Sequence, residues 1–157
     1  MKITLKDVAA STVETACLVV GVMEDAPLSG PALEIDQASG GRLQALIDSG
    51  DIDADRNCTT LIHGLDGVAA ERVLVVGCGQ PDRFDRVRFD NACRSAGRYL
   101  RNHAVTEAHV CLHLLEVEDL DPAWRLRQAV VAFDHGNYLY VATKPLKPED
   151  PRPLKES

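Results

Sequence analysis

Three alternating side chains, His109, Cys111 and His113, form the pattern in this sequence that is most typical of a metal site. On a β-strand, residues two positions apart project from the same face, so all three would point in one direction. Imidazole and thiolate are ligands that zinc prefers, and a fourth ligand or a water molecule would complete the site. The same spacing also occurs on a half-covered strand whose other residues, here Val110 and Leu112, face the core. We adopt the packed strand as the interpretation and keep metal binding as the alternative.

A glycine turn, Gly77-Cys78-Gly79, follows a valine-rich stretch. Turns that follow strands in this way can supply free backbone amides that bind phosphate. A dinucleotide-binding fingerprint would need a third glycine at position 82, where the sequence has Asp82, and no P-loop lysine follows. The turn is therefore interpreted as a tight exit from the strand, with phosphate binding as the alternative.

The acidic residues do not form a site that the spacing supports. Asp51, Asp53 and Asp55 resemble the start of a calcium loop, but Arg56 stands where the loop needs glycine. A second acidic run is interpreted as a solvated loop that favours the positive N-terminus of the next helix. Its members are Glu116, Glu118, Asp119 and Asp121.

Arginines are concentrated in one part of this otherwise acidic chain, at positions 83, 86, 88, 94, 98 and 101. On a helix, Arg94, Arg98 and Arg101 would share the face opposite the apolar residues. Guanidinium groups spaced in this way can contact successive phosphates, so these three residues are candidate nucleic-acid contacts. Such a stripe on an exposed helix is more often a solvated or salt-bridged face, and Asp82, Asp85 and Asp90 are interspersed among these arginines.

Two runs rich in valine and leucine, residues 16–22 and 72–77, have the composition of central strands buried on both faces. Further strand patterns occur at residues 59–63, 108–114, 3–5 and 138–141, the last two being candidate edge strands. The loop 64–71 is too short for a parallel crossover, so strands 59–63 and 72–77 should pair antiparallel. The sequence predicts a mixed sheet of five or six strands.

Apolar residues at helical spacing fall between these strands. The stripes are Leu43, Leu46 and Ile47 before Gly50, and Phe89, Ala92, Cys93, Ala96 and Leu100. A third helix is expected to begin at Asp121 and Pro122, which suit the N-cap and the first turn. Its expected core residues are Leu126, Val130 and Phe133, and its expected end is Gly136. A shorter helix, capped by Ser29, should run through Leu33. Helices between the strands predict an α/β fold with a sheet between helical layers.

The composition is that of a soluble globular protein, with 157 residues, 45% hydrophobic and 26% charged. The longest apolar run, residues 16–23, is too short to cross a bilayer, and the N-terminus lacks a signal-peptide pattern. We therefore expect a cytoplasmic protein without a membrane partner. The formal net charge of -7 disfavours a protein devoted wholly to nucleic acid. The five cysteines, at 17, 58, 78, 93 and 111, are widely separated and fit a reducing compartment.

The last fourteen residues are biased towards proline, with Pro145, Pro148, Pro151 and Pro153 among charged residues. Closely spaced prolines hold the backbone extended, as in a spacer between domains. We therefore predict a domain at residues 1–143 and a linker at residues 144–157 that leads towards a second domain.

Several segments together resemble the N-terminal domain of bacterial leucine aminopeptidases, the cytosol aminopeptidase family. They are residues 16–22 (ACLVVGV), 43–52, 71–79 (ERVLVVGCG), 127–130 (RQAV) and 151–155 (PRPLK). Their order and spacing match that family across nearly the whole chain. The resemblance implies a three-layer α/β sandwich similar to macro domains, attached to a catalytic domain with two divalent metal ions, zinc or manganese.

The resemblance also implies what the chain does. The family's Asn-Thr-Asp-Ala-Glu-Gly-Arg signature does not occur, so no catalytic, cofactor-binding or metal-binding residue is assigned in this chain. The parent would be a cytosolic hydrolase that removes N-terminal residues, with leucine favoured, and would form a homo-hexamer. This domain would contact its own catalytic domain and neighbouring subunits, supporting assembly and active-site access. The alternatives are a DNA-binding regulatory module and a macro-type domain that binds ADP-ribose.

Overall fold

In a computed structural model of the chain, residues 2–6, 8–103, 105, 107–115, 121–133 and 138–142 are described, with residues 2–6 and 138–142 described through their backbone only. The predicted linker 144–157, the acidic residues Glu116, Glu118 and Asp119, and the predicted helix end Gly136 lie outside these ranges.

The described residues form strands, α-helices and two short 3-10 helices, Pro81–Arg83 and Leu112–Leu114. The strands are β1 (Lys2–Lys6), β2 (Leu18–Val22), β3 (Thr59–His63), β4 (Arg72–Gly77), β5 (Glu107–Val110) and β6 (Tyr138–Ala142). The α-helices are α1 (Gly30–Ala38), α2 (Arg42–Asp48), α3 (Arg86–Asn102) and α4 (Pro122–Ala132).

The strands form one six-stranded sheet in the order β1-β6-β5-β2-β4-β3. Every neighbouring pair is parallel except β3 and β4, which pair antiparallel. The mixed six-stranded sheet and the antiparallel β3–β4 pair confirm the predictions. The suggestion that residues 138–141 form an edge strand is wrong, because β6 lies between β1 and β5.

The core consists of two apolar layers, one on each face of the sheet. Val19 on β2 belongs to the layer that contains α3 and α4, whereas its neighbours Leu18 and Val20 belong to the layer that contains α1 and α2. Successive side chains of a strand point to opposite faces, so a strand covered on both sides must be apolar throughout. All five residues of β2 are buried, which explains the uninterrupted run of apolar residues and confirms the three-layer α/β sandwich.

Helix α3 follows the predicted stripe closely. Asp85 caps its N-terminus, since the carboxylate accepts a hydrogen bond of 3.0 Å from the amide of Arg88. The buried residues of the helix are Phe89, Ala92, Cys93, Ala96 and Leu100, as predicted.

The other helices depart from expectation in detail. Helix α1 extends to Ala38, beyond the predicted end near Leu33. Helix α4 begins at Pro122 as predicted, but its buried residues are Arg125 and Ala129, while Leu126 and Val130 are only half-buried. The predicted stripe is therefore rotated about the helix axis, and Phe133, just after the helix, is the one expected core residue that is fully buried.

Within the described residues, none of the helices is long and apolar enough to span a membrane.

Candidate functional site

The His109, Cys111 and His113 pattern does not form a metal cluster. The predicted strand 108–114 stops at Val110, and a 3-10 helix begins at Leu112, so the three side chains do not alternate along one strand. Cys111 packs into the layer that contains α1 and α2, and burial raises the pKa of its thiol. Among the described residues, no group of three His, Cys, Asp or Glu side chains could hold a metal ion. The strand-face arrangement that motivated the metal hypothesis is absent from this part of the chain.

His113 instead lies in a buried basic cluster with Arg125 of α4. Burial, and then the charges of Arg125 and His109, together lower the pKa of His113 to about 3. The side chain of His113 is 4% exposed. Its ring nitrogens, and the Nε and Nη1 atoms of Arg125, have no hydrogen-bond partner among the described residues. His113 is therefore a neutral, inaccessible imidazole at pH 7, which does not suit a general acid or base that must reach a substrate.

The Gly77-Cys78-Gly79 turn has no free amide to offer a phosphate. The amide of Gly77 donates to the carbonyl of Cys58 at 2.7 Å, and that of Gly79 donates to the carbonyl of Ala54 at 2.9 Å. The amide of Cys78 donates to the carbonyl of Val22, also at 2.9 Å. The turn is a tight strand exit, covered by the segment 53–58, in agreement with the interpretation adopted from the sequence.

The carboxyl end of β2 is also filled by the protein itself. In open α/β sheets, ligands bind in the crevice outside the carboxyl ends of the parallel strands. Here a Cβ atom added to Gly21 would lie 2.9 Å from Cδ1 of Leu115, so the Leu115 side chain packs directly against the strand. Leu115 is buried, and it occupies space that a ligand at this position would need.

A small polar cavity of about 180 Å³ remains beside the glycine turn. Its lining is Glu24, Asp55, Arg56, Gly79, Gln80, Arg83 and Arg88. Ligand pockets usually enclose about 300–1,000 Å³ and are mostly apolar. The cavity is smaller than such pockets and lined by charges of both signs, so it does not resemble a nucleotide site.

The five cysteines do not provide an activated nucleophile. Burial raises the pKa of Cys17 to about 11 and that of Cys78 to about 12, and it also raises the pKa of Cys93 and Cys111. The pKa of Cys58 is raised by burial and then by the neighbouring Asp53. Nucleophilic attack requires the thiolate, which is favoured by the opposite shift.

The predicted arginine surface is present on α3. Arg94, Arg98 and Arg101 are all exposed, on the side of the helix opposite its buried residues. Nε of Arg94 lies 2.6 Å from Oδ2 of Asp90. The other carboxylate oxygen of Asp90, Oδ1, accepts a hydrogen bond from the side chain of Gln128. Arg94 is therefore partly neutralised, whereas residues 91–102 contain no carboxylate beside Arg98 and Arg101.

A larger groove, which sequence reasoning missed, runs beside the edge strand β3. It has a volume of about 590 Å³ and is lined by residues of β3, of α2 and of the loops at 51–52 and 64–66. Leu46, Ile52 and Leu65 give it apolar walls, and Arg42 and Asp66 add charge. The available signal was the composition of residues 59–63, an edge strand without lysine, proline or carboxylate.

These layers and this strand order define a macrodomain-like α/β fold. The macrodomain of Mycobacterium tuberculosis DarG has a TM-score of 0.70 with 17% sequence identity, covering 91% of this chain and 98% of that chain. A mutant of tomato leucine aminopeptidase has a TM-score of 0.65 with 15% identity, covering 95% of this chain and 34% of that one. At these identities the likeness shows the fold alone.

The chain belongs to the cytosol aminopeptidase family, whose N-terminal domain model matches residues 19–145. A probable cytosol aminopeptidase of Xylella fastidiosa (strain M23) is 41% identical over 143 residues, which cover 91% of this chain and 29% of that protein. Another, from Stenotrophomonas maltophilia (strain K279a), is 43% identical over 151 residues, covering 96% of this chain and 30% of that protein. The chain thus spans about three tenths of the length of these relatives. The family resemblance found in the sequence is confirmed.

Proposed function

We propose that the chain is the non-catalytic N-terminal domain of a cytosolic, metal-dependent leucyl aminopeptidase that removes N-terminal residues from peptides. The observation that carries the proposal is the match of residues 19–145 to the N-terminal domain of that family. The geometry supports it, since the described residues bring together neither a metal-ligand cluster nor an activated thiol. Two zinc or manganese ions would be held by a catalytic domain outside these 157 residues.

The domain's own contribution is proposed to be architectural. Residues 1–143 would support assembly of a homo-hexamer and shape access to the active sites, and residues 144–157 would link them to the catalytic domain. The filled strand ends support this role over small-ligand binding, because the backbone amides of the glycine turn already donate hydrogen bonds to carbonyls of the protein.

The first test compares peptidase activity in two preparations. The 157-residue chain, supplied with Mn²⁺ or Zn²⁺, is expected to leave leucyl-p-nitroanilide uncleaved. Protein captured from the source cells with an antibody to this chain is expected to cleave it, and a chelator should abolish that cleavage. Metal-dependent cleavage by the 157-residue chain alone would contradict the proposal.

DNA binding is a second candidate function. It is favoured by the exposed side chains of Arg94, Arg98 and Arg101 in the C-terminal half of α3, a segment that contains no carboxylate. Each phosphate contact contributes about 0.9 to the slope of log affinity against log salt concentration. Replacing Arg94, Arg98 and Arg101 together by alanine should therefore weaken binding to duplex DNA and reduce that slope by up to about 3. Fluorescence anisotropy over a salt series measures both effects.

The matched control for this experiment is Arg42→Ala, an exposed arginine on α2 at the opposite face of the sheet. Its affinity and slope should stay close to the wild type. Failure of the wild-type chain to bind at low salt, or an equal loss in the control, would exclude the α3 surface as a DNA contact.

A further inference from the structure

The strand β3 ends the sheet and leaves one row of backbone groups unused. The carbonyl of Cys58 accepts from Gly77, and the amide of Gly64 donates to Glu71, so even-numbered residues in this stretch bond inward to β4. Backbone groups of an antiparallel strand alternate in direction. Those of Thr59, Leu61 and His63 therefore point away from the sheet, and they have no hydrogen-bond partner among the described residues.

This edge lacks the features that normally prevent pairing with another strand. Proteins protect edge strands with lysine, proline, inward-pointing charges or bulges. The sequence of β3 is TTLIH, and its register with β4 runs through five consecutive pairs without a bulge. An unguarded edge of this kind is expected to be covered by another strand.

The groove beside β3 provides room for that strand. Neighbouring strands lie about 4.7–4.9 Å apart, so an added strand would occupy the space directly outside β3. The groove of about 590 Å³ adjoins β3, since residues 60–63 of this strand and residues Arg42 and Leu46 of α2 line it. Leu61 contacts the apolar layer on one face of the sheet and Ile62 the layer on the other, so an added strand would extend both layers.

We propose that the occupant is β3 of a second copy of this chain, paired antiparallel about a twofold axis at Leu61. In that register Leu61 of one copy lies opposite Leu61 of the other, and Thr59 lies opposite His63. All three are residues whose backbone groups point outward, so each pair exchanges both of its N–H···O bonds. The β3 edge is thus self-complementary, as a twofold interface requires.

Opposite charges line the groove and can pair between two copies. Each copy contributes one cation, Arg42, and two carboxylates, Asp51 and Asp66. Two copies therefore bring two cations and four carboxylates to the β3–β3 interface, so carboxylates of either copy are available to pair with Arg42 of the other. The result is a continuous sheet across two domains. This inference rests on the proposed assembly role and assigns that role to the β3 edge.

The test uses proline at an outward-facing position. Thr59→Pro removes an amide that bonds to nothing in the described fold, at the first residue of an edge strand, where proline is tolerated. Each dimer would lose one hydrogen bond at each end of the paired β3 strands, where Thr59 of one copy lies opposite His63 of the other. This loss should weaken dimerisation about tenfold or more. Thr59→Val keeps the amide and is the matched control. Sedimentation velocity over a concentration series measures the dissociation constant, and circular dichroism checks folding.

The proposal would be supported if the wild type and Thr59→Val form concentration-dependent dimers and Thr59→Pro dimerises more weakly. Slower hydrogen exchange of the Leu61 amide in the dimer than in the monomer would support it as well. A wild type that stays monomeric, or a dimer in which that amide exchanges freely, would overturn it. In either of those cases the peptidase test of the proposed function stands independently, because that test depends on the proposed catalytic domain and not on this edge.

Discussion

Acidification from pH 6.5 to pH 4 should lower the free energy of unfolding by about 3 kcal/mol through the protonation of His113 alone. Above pH 6.5 the imidazole is neutral in both the folded and the unfolded chain, so it adds no pH dependence. Below pH 6.5 the unfolded chain binds a proton, whereas the folded chain does not until the pH approaches about 3. Each pH unit within this window therefore favours unfolding by about 1.4 kcal/mol.

The variant His113→Leu should remove this part of the acid sensitivity. At pH 7 it should be at least as stable as the wild type, because two buried ring nitrogens without partners among the described residues are replaced by apolar atoms. Urea unfolding at a series of pH values measures the effect as the difference in slope between the two proteins. Val131→Ala, at an exposed position of α4 that carries no titratable group, is the control and should keep the wild-type slope. Equal slopes in His113→Leu and the wild type would show that His113 is accessible or charged in the folded protein.

Replacing Gly77 by alanine should destabilise the domain by about 3 kcal/mol or more. The added Cβ would lie 2.1 Å from the carbonyl oxygen of Asp55 and 2.8 Å from that of Asp53. Backbone atoms cannot move aside as a flexible side chain does. The covering segment is also held in place, since Gly77 donates to Cys58 and its carbonyl accepts from Asn57.

The control for this substitution is Gly40→Ala. Gly40 has a positive φ of 73°, but nothing lies within 4 Å of an added Cβ. Its replacement should cost only the backbone strain, about 1 kcal/mol. Urea unfolding of both variants measures the difference. Similar losses in the two variants would mean that residues 53–55 are not packed on the end of β4, and the turn would again be a candidate phosphate site.

The central strands could be predicted because burial on both faces leaves an unmistakable composition. β2 and β4 appear in the sequence as valine-rich runs, and the short loop 64–71 determines that β3 and β4 are antiparallel. The stripe of α3 was equally clear, because its buried and exposed residues separate at helical spacing.

The errors have physical causes that a pattern of residue types does not record. The apolar residues 108–114 do not continue β5, because the chain turns into a 3-10 helix after Cys111. Helix α4 buries Arg125 beside His113, which no amphipathic pattern predicts for an arginine. Whether the glycine turn has free amides depends on the path of residues 53–58, which is a long-range property. The groove at β3 likewise exists only once the strand order is known.

The most direct test of this account is the mass of the polypeptide that carries this sequence in its source cells. Western blotting with an antibody to residues of α3, followed by mass spectrometry of the captured band, gives that mass. The account predicts a polypeptide several times heavier than 17.1 kDa, with this sequence at its N-terminal end. A polypeptide of 17.1 kDa would contradict it and would mean that the domain works alone.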